Sequence, residues 1–172
     1  NLLMKKEINI VWLKRDLRLQ DHEPLFLAEK SGLPYLIIYI FEPSLINHLD
    51  TSNRHLQFIY HSIQVLDMEL IKYNRSVNMF YAESLDIFCF LNQYYKIKNI
   101  FSYCESGIAK TWFRDQRIES FSKKNDILWS QSQRDGIVRG IKDRVDWNKK
   151  WFATMSGPQI LNTYSCTKLK KI

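Results

Sequence analysis

Glycine is scarce in this chain: five residues, at positions 32, 107, 136, 140 and 157 of 172. None is spaced to build a Walker phosphate loop or the GxGxxG fingerprint of a dinucleotide site, which excludes nucleotide binding by either motif. Histidine is scarcer still, with four residues. His22, His48, His55 and His61 form no HExxH pair, and His55 and His61, six apart on one predicted helix, do not share a face. They read as structural or surface residues. No serine occupies a GxSxG elbow. Cys89, Cys104 and Cys166 are odd in number and widely separated, with neither metal-ligand spacing nor a redox pair. That pattern implies a reduced, cytoplasmic protein without a metal site. Cys89, inside the apolar run Ile87–Leu91, is expected in the core. No apolar run approaches the ~20 residues of a membrane helix. No secretory leader is visible, since Lys5, Lys6 and Glu7 lead straight into a strand pattern.

What is present is alternation. Strand-like runs recur at Ile8–Leu13, Tyr35–Phe41, Val77–Tyr81, Asn99–Tyr103 and Ile127–Ser130. Helical patterns lie between them. Asp21 is placed to cap a helix through Ala28, with Gly32 as its stop. Ser52 is placed to cap a long helix from Asn53 to Tyr73, with an apolar face of Leu56, Ile59, Tyr60, Ile63, Leu66, Leu70 and Tyr73. Further helices fit Ser84–Tyr95 and Ile108–Lys123. Strands alternating with helices require crossover connections and hence a parallel sheet. The near-continuous apolar character of the first two strands suits a sheet covered on both faces. The chain is therefore predicted to be an α/β protein: a three-layer, doubly wound, Rossmann-like five-stranded parallel sheet of order 3-2-1-4-5. Ligands of such folds bind beyond the strand ends where the order reverses. Here that point is flanked by Lys14–Gln20 after the first strand and Cys104–Gly107 after the fourth.

The formal net charge is +7, which favours acidic partners. Most of the excess lies late. Arg134, Arg139, Lys142, Arg144, Lys149 and Lys150 outnumber Asp135, Asp143 and Asp146, and Lys168, Lys170 and Lys171 follow. A solvated surface and a phosphate-facing edge both account for that distribution. Trp147 and Trp151, four apart, would share one helix face. Residues 1–131 read as one domain and 132–172 as an extension or linker that docks aromatic side chains, either on this domain or on another.

The first loop also carries a motif. Trp12-Leu13-Lys14-Arg15-Asp16-Leu17-Arg18-Leu19, with Asp21-His22 after it, resembles the opening signature of the DNA photolyase and cryptochrome family. Phe41-Glu42-Pro43, Ser52-Asn53-Arg54, Phe58 with Ser62-Ile63, Arg114-Asp115, Gly136–Arg139 to Arg144, Trp147 and Trp151 keep the family's order and spacing. The resemblance covers residues 8 to about 155. It implies an N-terminal α/β antenna domain, followed in the whole protein by a helical domain that holds FAD and meets DNA. The whole protein would split pyrimidine dimers with blue light, as a carbon–carbon lyase, or would act as a photoreceptor. By itself this domain would bind at most a light-harvesting pigment: a deazaflavin, a flavin or a folate. Folate-binding members carry an Asn-Glu pair where this chain has Lys110 and Thr111, which speaks against folate.

The candidate pigment-contacting residues are Arg15, Asp16, Arg18, Phe41, Glu42, Glu105, Ser106 and Lys110. No catalytic residue and no membrane partner is expected. Arg15 and Arg18 have a second reading, in which they brace the loop by pairing with Asp16, Asp21 or Glu105. Arg114-Asp115 reads as a structural pair, and Trp12 as core. Two other functions fit parts of the sequence. One is a stand-alone nucleotide-binding α/β module of universal-stress or electron-transfer-flavoprotein type, which shares the topology but usually has a glycine-rich loop. The other is a basic DNA-binding module, which rests on charge alone.

Overall fold

A computed structural model of the chain describes residues 5–133, 135–137 and 145–166. The strands are β1 (Lys6–Leu13), β2 (Tyr35–Phe41), β3 (Val77–Tyr81), β4 (Tyr95–Tyr103) and β5 (Leu128–Ser132). The helices are α1 (Glu23–Lys30), α2 (Pro43–Ile46), α3 (Asn53–Leu70), α4 (Ser84–Tyr94), α5 (Ala109–Lys124) and α6 (Trp147–Met155). All five strands are parallel, in the order β3-β2-β1-β4-β5. The predicted topology is the observed one.

The pleat divides β1 between two cores. Ile8, Ile10 and Trp12 join Phe88 and Leu91 of α4 and Ile118 of α5 on one face. Val11 and Leu13 join Leu25 and Ala28 of α1 and Ile63, Leu66 and Leu70 of α3 on the other. Helices on both faces explain why β1 and β2 read as unbroken apolar runs.

Four local expectations change. First, β4 starts at Tyr95, four residues before its apolar run, because Tyr95–Ile97 pair with Lys6–Ile8 across a bulge at Ile8/Asn9. The buried Asn9 amide satisfies that bulge. Its Oδ1 accepts from Asn99 N and Nδ2, and its Nδ2 donates to Ser31 Oγ. Second, α1 is capped by His22, not Asp21. Buried His22 donates a hydrogen bond through Nε2–H to Asp16 at 2.6 Å, which leaves Nδ1 to accept from Leu25 N at 3.2 Å. Asp21 instead takes a left-handed φ of 53°, which Asp tolerates. Third, Cys89 is exposed. The buried residues of α4 are Ser84, Ile87, Phe88 and Leu91, and Cys89 falls on the opposite side. Fourth, Tyr60 is exposed, and α3 ends at Leu70, followed by a 3-10 turn at Ile71–Tyr73.

The C-terminal segment folds back onto the domain. Asn162 brackets His22, accepting from its backbone N–H and donating to its carbonyl. Tyr164 donates to the Leu19 carbonyl and packs on Tyr73, and Ser165 reaches Glu29. In α6, Trp147 and Trp151 stack at 6.4 Å. The Val138–Arg144 part of the motif set, and Arg134, Lys168, Lys170 and Lys171, lie outside the described residues.

Candidate functional site

A cleft of about 630 Å³ opens at the carboxyl ends of β1 and β2, beside the loop that follows β4. This is the point where the strand order reverses. Trp12 and Leu13 form part of its floor, Tyr39 and Phe41 come from β2, and Leu56, Phe58 and Ile59 come from α3. Glu105, Thr111 and Arg114 close the remaining side. The volume suits a ligand of two or three fused rings, and so does the chemistry of apolar walls with a few placed polar groups. Tyr39 and Phe41 meet edge to face, with centroids 4.9 Å apart. Burial, with Glu105 and Glu42 nearby, pushes the Tyr39 phenol up to about 12, so it remains a neutral hydrogen-bonding group at physiological pH.

The polar side of the cleft is built around Arg114. Its guanidinium donates to Glu42 at 2.9 Å, to Glu105 at 2.9 Å and to Asp115 at 2.8 and 3.0 Å. Three buried carboxylates from β2's end, β4's loop and α5 thus share one planar fork. Burial disfavours the charge on Arg114, but Asp115, Glu42 and Glu105 outweigh it and hold the group protonated. Burial would raise Glu105, yet Arg114, Lys14 and Arg15 hold it below the usual carboxylate range. Lys14 is itself buried and reaches Asp115 Oδ2 at 3.4 Å. Desolvation is the leading influence on it and draws it down from the ordinary lysine value. Gly107 permits this packing: a Cβ there would lie 2.3 Å from Thr111 Oγ1.

The structure sorts the predicted site residues. Arg15, Phe41, Glu42 and Glu105 line the cleft. Arg15 sits on the rim with its side chain 61% exposed and donates through Nε to Glu105 at 2.8 Å. Asp16 lies behind the wall, where it accepts from His22 and from Lys14 N. Arg18 turns away, donating twice to the Asp21 carbonyl and covering the Tyr103 ring. Ser106 points to Asp135 at 3.5 Å, and Lys110 donates to the Ser44 carbonyl in a neighbouring groove. Lys14, Tyr39, Phe58, Thr111 and Arg114 line the cleft without having been singled out as ligand contacts. For Lys14, Phe58 and Arg114 a signal existed, since all three belong to the matched motifs. Among the described residues there is no cluster of three metal-ligating side chains, and no helix is long and apolar enough to cross a membrane.

The family model for DNA photolyase matches residues 9–141. The chain belongs to the DNA photolyase family. It is 26% identical over 140 residues to a deoxyribodipyrimidine photo-lyase of Buchnera aphidicola subsp. Acyrthosiphon pisum, covering 80% of this chain and 27% of that protein. A Synechocystis sp. PCC6803 cryptochrome superposes with a TM-score of 0.70 at 21% identity, over 77% of this chain and 28% of that one. An archaeal photolyase from Sulfolobus tokodaii, whose structure is described as holding two FAD molecules and implying a novel light-harvesting cofactor, superposes with a TM-score of 0.68 at 24% identity. That match covers 84% of this chain and 34% of the archaeal one. The chain therefore spans about a third or less of the length of these relatives.

Proposed function

We propose that this chain is the antenna domain of a photolyase or cryptochrome-like flavoprotein, and that the cleft holds its light-harvesting pigment. The observation that carries this reading is the aromatic-walled cleft at the strand-order reversal, with Arg15, Glu42, Glu105 and Arg114 on its polar side. Tyr39, Phe41 and Phe58 present flat apolar surface to a fused-ring ligand. The Arg114 fork fixes the polar wall before any ligand arrives, which lowers the ordering cost of binding. Arg15 is tethered through Nε alone among its described bonds and is largely exposed, so its terminal nitrogens are available to an acidic tail at the rim. Thr111 is buried against the loop and Lys110 is turned to Ser44, which favours a flavin or deazaflavin over a folate.

In the whole protein the pigment's contribution would be to absorb light and deliver excitation by dipole coupling to FAD in a helical domain in cis. That domain would act on pyrimidine dimers in DNA or signal the presence of light. The contacting residues proposed from the sequence divide accordingly. Arg15, Phe41, Glu42 and Glu105 serve the cleft, while Asp16 and Arg18 hold the loop that forms its wall. The test is an absorbance titration of the chain with FMN, a 5-deazaflavin and a reduced folate. Saturable spectral shifts are expected with the first two and not with folate, and the cleft-filling Ile59→Trp removes them. No shift with any pigment, or shifts indifferent to Ile59→Trp, would overturn the reading.

A further inference from the structure

Trp12 is 2% exposed and lies at the cleft floor with a cation over its ring from each of two elements. Lys14 Nζ is 4.4 Å from the ring centroid, and the Arg114 guanidinium carbon is 4.8 Å from it. Lys14 Nζ is also 5.4 Å from the ring of Trp129, which itself lies 5.9 Å from Trp12. Neither cation is free to drift: Asp115 holds Lys14, and Glu42, Glu105 and Asp115 hold Arg114. Taking the Lys14 ammonium out of water is costly, and Asp115 and the two indole faces are what offset that cost.

Indole is among the most easily oxidised side chains, and an excited flavin-type ring is a strong one-electron oxidant. In the cleft the two would lie in contact or close to it. One electron would leave the indole, making it a radical cation, and reduce the pigment. The electron's return would restore both ground states and waste the photon as heat. Trp129 offers that hole a second resting place. Each cation is ion-paired, so what the ring meets is a dipole with its positive end on the ring face, weaker than a bare charge but opposed to the hole, in a buried site where screening by solvent is poor.

We propose that Lys14 and Arg114 guard the antenna by making Trp12 and Trp129 harder to oxidise, so that the excited state survives long enough to be passed on. This rests on the reading of the cleft as a pigment site. It gives the buried Lys14 a function separate from binding: Lys14 is a tuning residue that acts through Trp12.

The test uses FMN as the probe and reads two signals, the fluorescence lifetime of bound FMN and the transient absorption of the indole radical. Lys14→Met takes the ammonium off the ring face and leaves Asp115 with Arg114 as its remaining cation. It is expected to shorten the lifetime several-fold and to raise the radical yield. Lys14→Arg keeps the wild-type lifetime. Adding Trp12→Phe to Lys14→Met restores most of it. Lys14→Met with Asp115→Asn removes the pair together and leaves the buried net charge unchanged. It folds even where the single variant does not, and still shortens the lifetime. Unchanged lifetimes in both variants that carry Lys14→Met, or a shortening that Trp12→Phe does not relieve, would overturn the proposal while leaving the pigment reading intact. Failure of FMN to bind the wild-type chain would instead overturn the pigment reading, and this proposal with it.

Discussion

Replacing Arg114 with Met is expected to cost more stability than any other single change at the cleft. The side chain is 11% exposed, and its three carboxylate partners are more buried still. Removing one partner of a buried ionic cluster typically costs about 3–5 kcal/mol, because the other charges are left uncompensated. Two of the carboxylates keep a second cation. Asp115 retains Lys14 at 3.4 Å, and Glu105 retains Arg15 at 2.8 Å. Arg15 is largely solvent-exposed, so its pairing offsets little. Among the described residues Glu42 retains only the Ser84 backbone N–H at 3.3 Å. An expected loss of ~4 kcal/mol, set against a typical total of 5–15 kcal/mol, leaves a folded but fragile chain. With a urea m-value of ~2 kcal/mol/M the midpoint falls by ~2 M. The pH dependence is the sharper check. In the wild type Glu105 is held below its ordinary value. The stability it contributes is present above the unfolded pKa of ~4.3 and lost as pH falls through the folded one. In Arg114→Met Glu105 loses its leading charge partner and protonates more readily, so the gap between variant and wild type must narrow below about pH 4. Urea titrations across that range decide the matter. A loss under ~1 kcal/mol at neutral pH, or a gap that stays constant in acid, would refute the reasoning.

Other consequences follow from single contacts. Asn162→Ala removes both hydrogen bonds to the buried His22 backbone and should cost ~1–3 kcal/mol in urea denaturation. Hydrogen exchange should also quicken at residues 19–23, and unaltered protection there would contradict the docking described. A Cβ on Gly136 would lie 2.2 Å from Trp151 Cδ1. Gly136→Ala should therefore displace that indole and red-shift the tryptophan emission, and an unchanged spectrum would count against the contact. Burial works to raise Asp16, but its bonds from His22 and the Lys14 N–H hold it low overall. Its stabilisation is thus present above ~3.9 and lost as pH falls through the folded value. Asp16→Asn should flatten the acid limb of the stability profile. A limb as steep as the wild type's would rule Asp16 out as its source.

The sheet was readable because each strand is a compact apolar run and each helix is marked by period or cap. That logic failed where polar residues do structural work. Lys96 and Lys98 disguise the first half of β4, and the Asn9–Asn99 amide pair that carries the bulge has no local signature. His22 displaced Asp21 as a cap only because Asp16, six residues earlier, fixes its tautomer. The cleft was located from topology alone, since the reversal point depends only on strand order. Its occupants were less legible. Arg15 and Arg18 look alike in sequence, yet one lines the cleft and the other braces a turn. Arg114 read as half of a helix pair because Glu42 and Glu105 are far from it along the chain. Asn162 and Tyr164 sit in a segment without periodicity, and their partners lie about 140 residues away.

The central claim, that this cleft is where a pigment binds, is tested most directly by mapping amide chemical shifts while FMN is titrated to saturation. The account predicts shifts concentrated at Arg15, Tyr39, Phe41, Phe58, Glu105 and Thr111. The groove between α4 and α5, around Cys89 and Lys124, should stay silent. Shifts centred on that groove, or none at saturating FMN, would contradict it.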